Sequence, residues 1–374
     1  MIQGKRICLA VTNDLVHDRR MQRISSALAD AGAIVTLIGR KLPDSKAVHF
    51  EKFRTVRLRC FFVKRWWFYA EYNLRLFFFL LFHRYDIACA CDLDTALPIV
   101  LVSWLKRKRK VYDAHELFTD VPELIHRPRV RAFWDRIGRL TIPRFDLRYT
   151  VGEALAEELE KRYGQPFHVI RNSSPSDLTA IKEIDLTTRE RIIFYHGALN
   201  TGRGLETCIE AMKSLPQWTL LIAGEGDLSH ELRKLASETG VEDRVTFLGW
   251  VAPDKLLDYV NMARVSVNLL EGKSLSYYYS LANKYFDSLQ AGVPAITMDF
   301  PEYRRIHDRF NCSILLQEVS VRELVNTLDR LDASPDDLNK LSANCLIAAR
   351  ELSWEQEQDK LIQLFISLSA GKPA

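Results

Sequence analysis

The sequence predicts an α/β protein made of two tandem domains, each a doubly wound parallel sheet. Three observations carry this expectation. Short apolar runs alternate with longer stretches of helical periodicity, which is the pattern of βαβ units, and the alternation passes along the chain twice. Between the two passes lies a polar, proline-bearing stretch, NSSPS over 172–176, continued by a charged connector over 185–191. The chain has 374 residues, 47% hydrophobic and 27% charged, enough for two domains that each bury their own core.

In the first half the strand candidates are 6–12, 33–39, 56–62, 86–91, 110–114, 147–151 and 168–171, with helical stretches such as 20–31 and 153–163 between them. The second half repeats the alternation with strands over 192–195, 218–223, 245–248, 265–270, 295–298 and 313–316. Domains are therefore expected over 1–174 and 175–352. A helix over 353–374 is a candidate to pack back on the first domain. Two open parallel sheets in tandem place a ligand site in the cleft between them, at the carboxyl ends of the strands.

Composition narrows the function classes. The seven cysteines, Cys8, Cys60, Cys89, Cys91, Cys208, Cys312 and Cys345, are scattered without a CxxC pair, so reduced and mostly buried thiols of a cytoplasmic protein are expected. The opening MIQGKRICLAVTND has too short an apolar run for a signal-peptide core. A net charge of +4 with no nucleic-acid motif gives no reason to expect nucleic acid as a partner. The stretch 60–85 mixes aromatic and basic residues, but its longest apolar run, 76–82, is far below the roughly 20 residues that cross a bilayer.

Three loops of the second half follow strands and precede helices. In HGALNTGRG (196–204), glycines allow close backbone approach and Arg203 can hold a diphosphate against the next helix N-terminus. The GEGD run (224–227) is weaker, and a strand-to-helix turn capped by Asp227 explains it as well. The third element runs from Ser274 to Pro294: a serine- and tyrosine-rich loop enters a helix that carries Lys284 and Asp287 and stops at Gly292. Helix-start amides and Lys284 suit a diphosphate, and Asp287, one turn along, suits ribose hydroxyls. Taken alone, a capped amphipathic helix with solvated charges is the better account of this element.

The order HGALNTGRGL, LLIAGEGDL, VTFLGWV and NKYFDSLQAGVP, then DFPE, resembles the catalytic half of glycosyltransferase family 4, enzymes of the GT-B fold with two Rossmann-like domains. DIACACDLDTALP, VYDAHELFTDVPEL, FDLRYTVGEALAEELEKRYG and VIRN are similar to the matching acceptor domain. The resemblance implies a retaining hexosyltransferase that uses a nucleotide-diphosphate sugar and a glycan or lipid-linked acceptor in polysaccharide assembly. It implies no metal or other cofactor. The donor-binding residues it points to are Gly197, Arg203, Glu225, Tyr279, Ser280, Leu281, Asn283, Lys284 and Asp287. The family's two glutamates, eight residues apart, fall on Tyr279 and Asp287 here, so the ribose carboxylate is kept and the charged sugar contact is not. The arginine usual after the first loop glycine is Ala198, and Lys284 is placed to supply that charge.

In the first half, His115 and Glu116 close the strand VYDAHE, and the resemblance gives His115 a contact to the transferred sugar, with Glu116 orienting it or meeting the acceptor. The loop 12–20 carries Asp14 on the acceptor side. Its plain alternative is Asp18 as a helix cap with Arg19 and Arg20 solvated. Asp92 and Asp94 form a DxD, read here as a helix cap by Asp94 ahead of a helix starting at Thr95. Lys64, Arg65, Trp66, Trp67 and Tyr69 are residue types that favour an anionic membrane surface, so peripheral attachment to the inner face of the membrane is a further expectation, against the alternative that 74–82 is simply a core helix. A nucleotide-sugar epimerase of the same fold and a catalytically silent nucleotide-sugar-binding protein are the rival functions.

Overall fold

The computed structural model describes residues 2–16, 18–43, 45–175 and 184–371; His17 and Ser176, which belong to stretches read above, lie outside them. The chain divides into two compact units, Met1–Arg171 with Glu357–Ala374, and Asn172–Gln356.

Among the described residues the first unit holds a seven-stranded parallel sheet: β1 (Arg6–Asp14), β2 (Ile34–Lys41), β3 (Arg54–Arg59), β4 (Ile87–Cys91), β5 (Arg109–Ala114), β6 (Leu147–Thr150) and β7 (His168–Val169), in the order β3-β2-β1-β4-β5-β6-β7. Helices α1 (Arg19–Asp30), α2 (Arg65–Phe82), α3 (Ala96–Leu105), α4 (Pro128–Thr141) and α5 (Glu153–Tyr163) connect the strands. The central strand β4, IACAC, is buried at every position, as a parallel strand covered on both faces must be. On α2 the residues Phe68, Tyr72, Leu76 and Leu80 form a buried ridge, each side chain contributing about 1.5–3 kcal/mol of apolar burial. Leu74, Phe78 and Phe82 lie exposed on the other side, so 74–82 is only half core.

The second unit holds a six-stranded parallel sheet: β8 (Ile192–His196), β9 (Thr219–Ala223), β10 (Val245–Gly249), β11 (Val265–Asn268), β12 (Ala295–Met298) and β13 (Ser313–Leu316), in the order β10-β9-β8-β11-β12-β13. Helices α6 (Leu205–Ala211), α7 (Ser229–Glu238), α8 (Pro253–Met262), α9 (Leu275–Tyr278), α10 (Asn283–Gln290), α11 (Pro301–Phe310), α12 (Val321–Ala333) and α13 (Pro335–Glu351) flank it, and α14 (Trp354–Ser369) ends the chain. Its core packs Tyr195, Leu220, Ile222, Val267, Tyr285 and Phe286 under α6, α10 and α12. In each sheet the strand order reverses once, between β1 and β4 and between β8 and β11. An open α/β sheet forms its ligand crevice outside the carboxyl ends at such a reversal.

Two predicted helix caps are corrected. A 3-10 turn over Leu93–Thr95 precedes α3, which starts at Ala96 without a side-chain cap, and Asp94 instead accepts from the hydroxyl of Thr12, near the end of β1. Helix α7 begins at Ser229 behind Leu228, again without a side-chain cap, so Asp227 does not cap it. Asp18 does cap α1, accepting from the Met21 amide at 3.1 Å. All seven cysteines are free thiols, six of them buried.

Candidate active site

In the second unit the loops after β8 and β9 touch through their backbones. The Gly197 amide donates to Ala223 O at 2.9 Å and the Gly224 amide to Gly249 O at 2.7 Å. A Cβ on Gly224, whose φ is +138°, would lie 1.9 Å from the Gly197 carbonyl oxygen, so only glycine fits. The GEG run is thus a spacer that lets the two loops meet, a stronger reason for its glycines than the motif alone provides.

Helix α10 starts beside these loops. Its preceding residue, Ala282, donates its amide to the Tyr303 hydroxyl at 3.1 Å, and that hydroxyl also accepts from Asn268 Nδ2 at 2.7 Å, which pins the start of the helix to the end of β11. Lys284, in the first turn, is 9% exposed. Its Nζ lies 3.8 Å from the centre of the Tyr195 ring, and a Cβ on Gly197 would sit 3.3 Å from it. Among the described residues this buried ammonium has no hydrogen-bond partner, and neither does Arg203 Nε. Burial, and then the charge of Arg203, hold Lys284 well below the ordinary lysine value. Two cations, a helix N-terminus and glycine-bearing loops therefore converge where, among the described residues, neither Lys284 Nζ nor Arg203 Nε has a hydrogen-bond partner. Such a set is chemically suited to a di-anionic phosphate group.

One turn on, Asp287 accepts from the Ser174 hydroxyl and lies 3.6 Å from His196 Nε2. Ser174 is itself anchored by Gln290, whose Nε2 donates to its carbonyl at 2.6 Å. Sequence reasoning missed Ser174, His196 and the aromatic seats of the cations, Tyr195 and Tyr277; the Arg203 guanidinium rests 5.0 Å from the Tyr277 ring. Of the remaining expected donor residues, Leu281 is buried and Ser280 donates to Tyr277 O at 2.8 Å. Tyr279 ends α9 and packs edge-on against Tyr278, Asn283 is exposed at the first turn of α10, and exposed Glu225 pairs with Arg233 at 3.5 Å.

In the first unit His115 stands just past β5, at the same end as Asp92 past β4. Its Nε2 donates to Asp113 Oδ2 at 3.1 Å, its backbone amide donates to Asp92 Oδ1 at 2.8 Å, and its Nδ1 lies 3.6 Å from Asp92 Oδ2. Asp113 is fully buried and takes the Arg20 guanidinium at 2.9 and 3.3 Å, while Arg20 Nη1 donates to Ile170 O. Arg20 is therefore not solvated, as the loop reading had it, but is the buried counter-charge of the cluster. The available signal was the strand period: Asp113 and His115, two apart, project to one face. Exposed Glu116 follows the ring, and the carboxylates against the ring are Asp113 and Asp92.

Burial would lower His115, but the charges of Asp113 and Asp92 override it and hold its proton up to about 9. Burial would raise Asp113, and Arg20 takes it down to about 2 instead. For Asp92 burial prevails and lifts it to about 8, and likewise Asp94 to about 7. Because His115 is raised from an ordinary value near 6.5, its stabilisation is full below about pH 6.5 and is lost as pH rises through about 9. Thermal unfolding across that window should show wild-type stability falling more steeply than that of His115→Gln; parallel curves would contradict the assignment. Cys91 Sγ lies 3.0 Å from His115 Nε2, so Cys91, Asp113 and His115 bring three metal-ligand types together, which the sequence reading did not foresee. They do not fit an ion: Asp113 is taken by Arg20 and His115, and burial keeps the Cys91 thiol protonated.

Residues 18–173 match the family model described as Glycosyltransferase Family 4, and residues 177–352 match Glycosyl transferases group 1. The chain belongs to glycosyltransferase family 4. Among solved structures, the chain is similar to a sucrose-phosphate synthase from Thermosynechococcus elongatus, with a TM-score of 0.79 at 19% identity over 98% of this chain and 100% of that one. It is also similar to the Anabaena protein HepE in complex with UDP and glucose, with a TM-score of 0.76 at 14% identity over 98% and 100% of the two chains. At such identities the likeness is one of fold, the tandem-sheet GT-B architecture. A D-inositol 3-phosphate glycosyltransferase of Gordonia bronchialis is 24% identical over 195 residues, 49% of this chain and 41% of that protein. The lipopolysaccharide core biosynthesis glycosyltransferase LpsE of Rhizobium meliloti is 28% identical over 115 residues, 31% and 32% of the two. The aligned part spans less than half the length of these relatives.

Among the described residues, those expected on the acceptor side make separate contacts. Asp14, at the end of β1, is taken by neighbours, accepting from Arg57 of β3 at 2.8 Å, from the Ser45 hydroxyl and from the Val16 amide at 3.3 Å. Lys64, Arg65, Trp66 and Trp67 stand exposed at the start of α2, with the two indoles stacked.

Proposed function

We propose that this glycosyltransferase moves a hexose from a nucleotide-diphosphate donor to a hydroxyl acceptor with retention of configuration, in the assembly of a cell-surface polysaccharide or lipid-linked glycan. The observation that carries the donor half is the buried, unpartnered Lys284 ammonium beside Arg203 at the start of α10. These groups hold the donor diphosphate, and Asp287, set by Ser174 and His196, takes the ribose hydroxyls. As the bond from the anomeric carbon to the phosphate oxygen breaks, the cations and amides stabilise the leaving charge. The acceptor oxygen bonds to the same face, and its proton leaves with the phosphate. His115, protonated and held by Asp113, serves the reacting sugar, with Glu116 beside it.

Cations from the chain itself take the place of a divalent ion on the diphosphate, so turnover should be unchanged by EDTA; loss of activity restored by magnesium would contradict this. The reading as a whole is tested by an NMR time course on a nucleotide sugar with and without acceptor. The expected result is product only with acceptor, its anomeric coupling matching that of the donor. Conversion of the donor alone would identify an epimerase. Binding without any product would identify a silent binding protein, the reading that Tyr279, in place of the usual glutamate, favours.

A further inference from the structure

The outer face of the first unit bears an apolar plane that no part of the described chain covers. On α2 the residues Trp66, Ala70, Leu74, Phe78 and Phe82 recur every four positions, all exposed, with Phe82 at 77%. They form a ridge opposite the buried one of Phe68, Tyr72, Leu76 and Leu80. Helix α3 packs against both α2 and α4 and continues the plane with Leu97, Leu101, Leu105 and Trp104, the last 75% exposed. Phe133 and Leu140 extend it on α4. Exposed apolar areas of this extent mark a binding surface.

Charge identifies the occupant. The three segments 60–85, 96–110 and 125–144 hold fifteen Lys and Arg against two carboxylates, Glu71 and Asp135, whereas the whole chain has a net charge of only +4. The rest of the protein is therefore net acidic; Lys108 pairs with Asp86, Arg109 and Lys110 share Asp146 and Arg131 pairs with Asp120, and counting those three carboxylates still leaves a clear positive excess on the segments that carry the apolar ridges. Two copies of such a face repel each other, which disfavours a dimer through it. An anionic bilayer surface supplies both an apolar layer for the ridges and negative charge for their rim. Among the described residues no helix is long and apolar enough to cross a membrane, and α2 carries Arg65, Glu71 and Arg75 along its length.

We propose that the α2–α3–α4 face lies flat on an anionic lipid surface, with Trp66, Phe78, Phe82 and Trp104 seated at the headgroup level. The surface proposed is thus three helices wide rather than the short stretch Lys64–Tyr69. The claim does not depend on the donor chemistry, because binding is read without substrates. The test is co-sedimentation of the full chain with phosphatidylcholine vesicles, alone or mixed with phosphatidylglycerol, at low and high salt, together with tryptophan emission. Binding to the mixed vesicles, a blue shift and weakening by salt are expected. Phe78→Ser with Trp104→Ser should lower partitioning by about tenfold or more at unchanged melting temperature. Arg129→Glu with Arg136→Glu should lower it by about tenfold on anionic vesicles. Three outcomes would overturn the proposal: no binding to anionic vesicles, binding indifferent to both pairs of substitutions, or a lipid-free dimer that Trp104→Ser dissociates.

Discussion

Replacing Lys284 with methionine is expected to lower donor-dependent turnover by orders of magnitude while raising the melting temperature of the ligand-free protein. The two effects have one cause. In the free protein the ammonium is buried over Tyr195 with no hydrogen-bond partner and with Arg203 nearby, an arrangement that costs stability. Methionine keeps the length and apolar contact of the side chain and removes the charge, which should stabilise the ligand-free protein by about 1–3 kcal/mol. In a domain of this size that is a rise of roughly 2–4 °C per kcal/mol. With a nucleotide-diphosphate sugar bound, the same charge faces the leaving group. Its loss should then lower kcat/KM by about 100- to 1000-fold, the scale seen when one fixed group is removed from a developing anion. A residue of purely structural importance would lower both quantities. A variant that is less stable yet still active would refute the assignment.

The second large effect is expected at Asp113. It is fully buried and is the shared partner of Arg20 and His115, so Asp113→Ala leaves a buried guanidinium without its counter-charge. Breaking such a pair from one side should cost about 3–5 kcal/mol. Arg20→Met with Asp113→Leu removes both charges and should recover much of that loss, because neither partner is then stranded. Asp113 makes the largest contribution raising His115, so the His115 imidazole should also titrate well below about 9 in Asp113→Asn, as read by NMR on the ring protons. If the double variant is no more stable than the single one, or if the ring titrates unchanged, the cluster does not work as described.

These two clusters mark where sequence reasoning succeeded and where it stopped. The parallel strands are short apolar runs punctuated by turns, and each run is read as a strand because its length is too small for a helix. The predicted 295–298 and 313–316 coincide with β12 and β13. The loop after β8 and the start of α10 were legible as element ends for a similar reason: Gly197, Arg203 and Lys284 lie at the ends of strands and the start of a helix, positions that local pattern marks. Local pattern could not reveal partners distant along the chain. Arg20 and Asp113 are 93 residues apart, and Ser174 and Asp287 are 113 apart. Asp94 shows the reverse failure. An aspartate ahead of a helix looks like a cap, but β1 and β4 are neighbours, so Thr12 of the adjacent strand reaches it first. On α2, periodicity was ambiguous because both ridges are apolar, and only packing shows which of them the core accepts.

The central claim, that the loops after β8 and β9 and the start of α10 form an anion site completed by a nucleoside diphosphate, is tested most directly by calorimetric titration. UDP, GDP and TDP would each be titrated into the wild type and into Lys284→Met at several pH values. Burial disfavours the charged form of Lys284 in the empty site, and a bound phosphate favours it. One nucleotide should therefore bind the wild type with an affinity that falls as pH rises, and should bind Lys284→Met far more weakly and with a shallower pH dependence. Equal affinity in both proteins, or no binding of any of the three, would contradict the account.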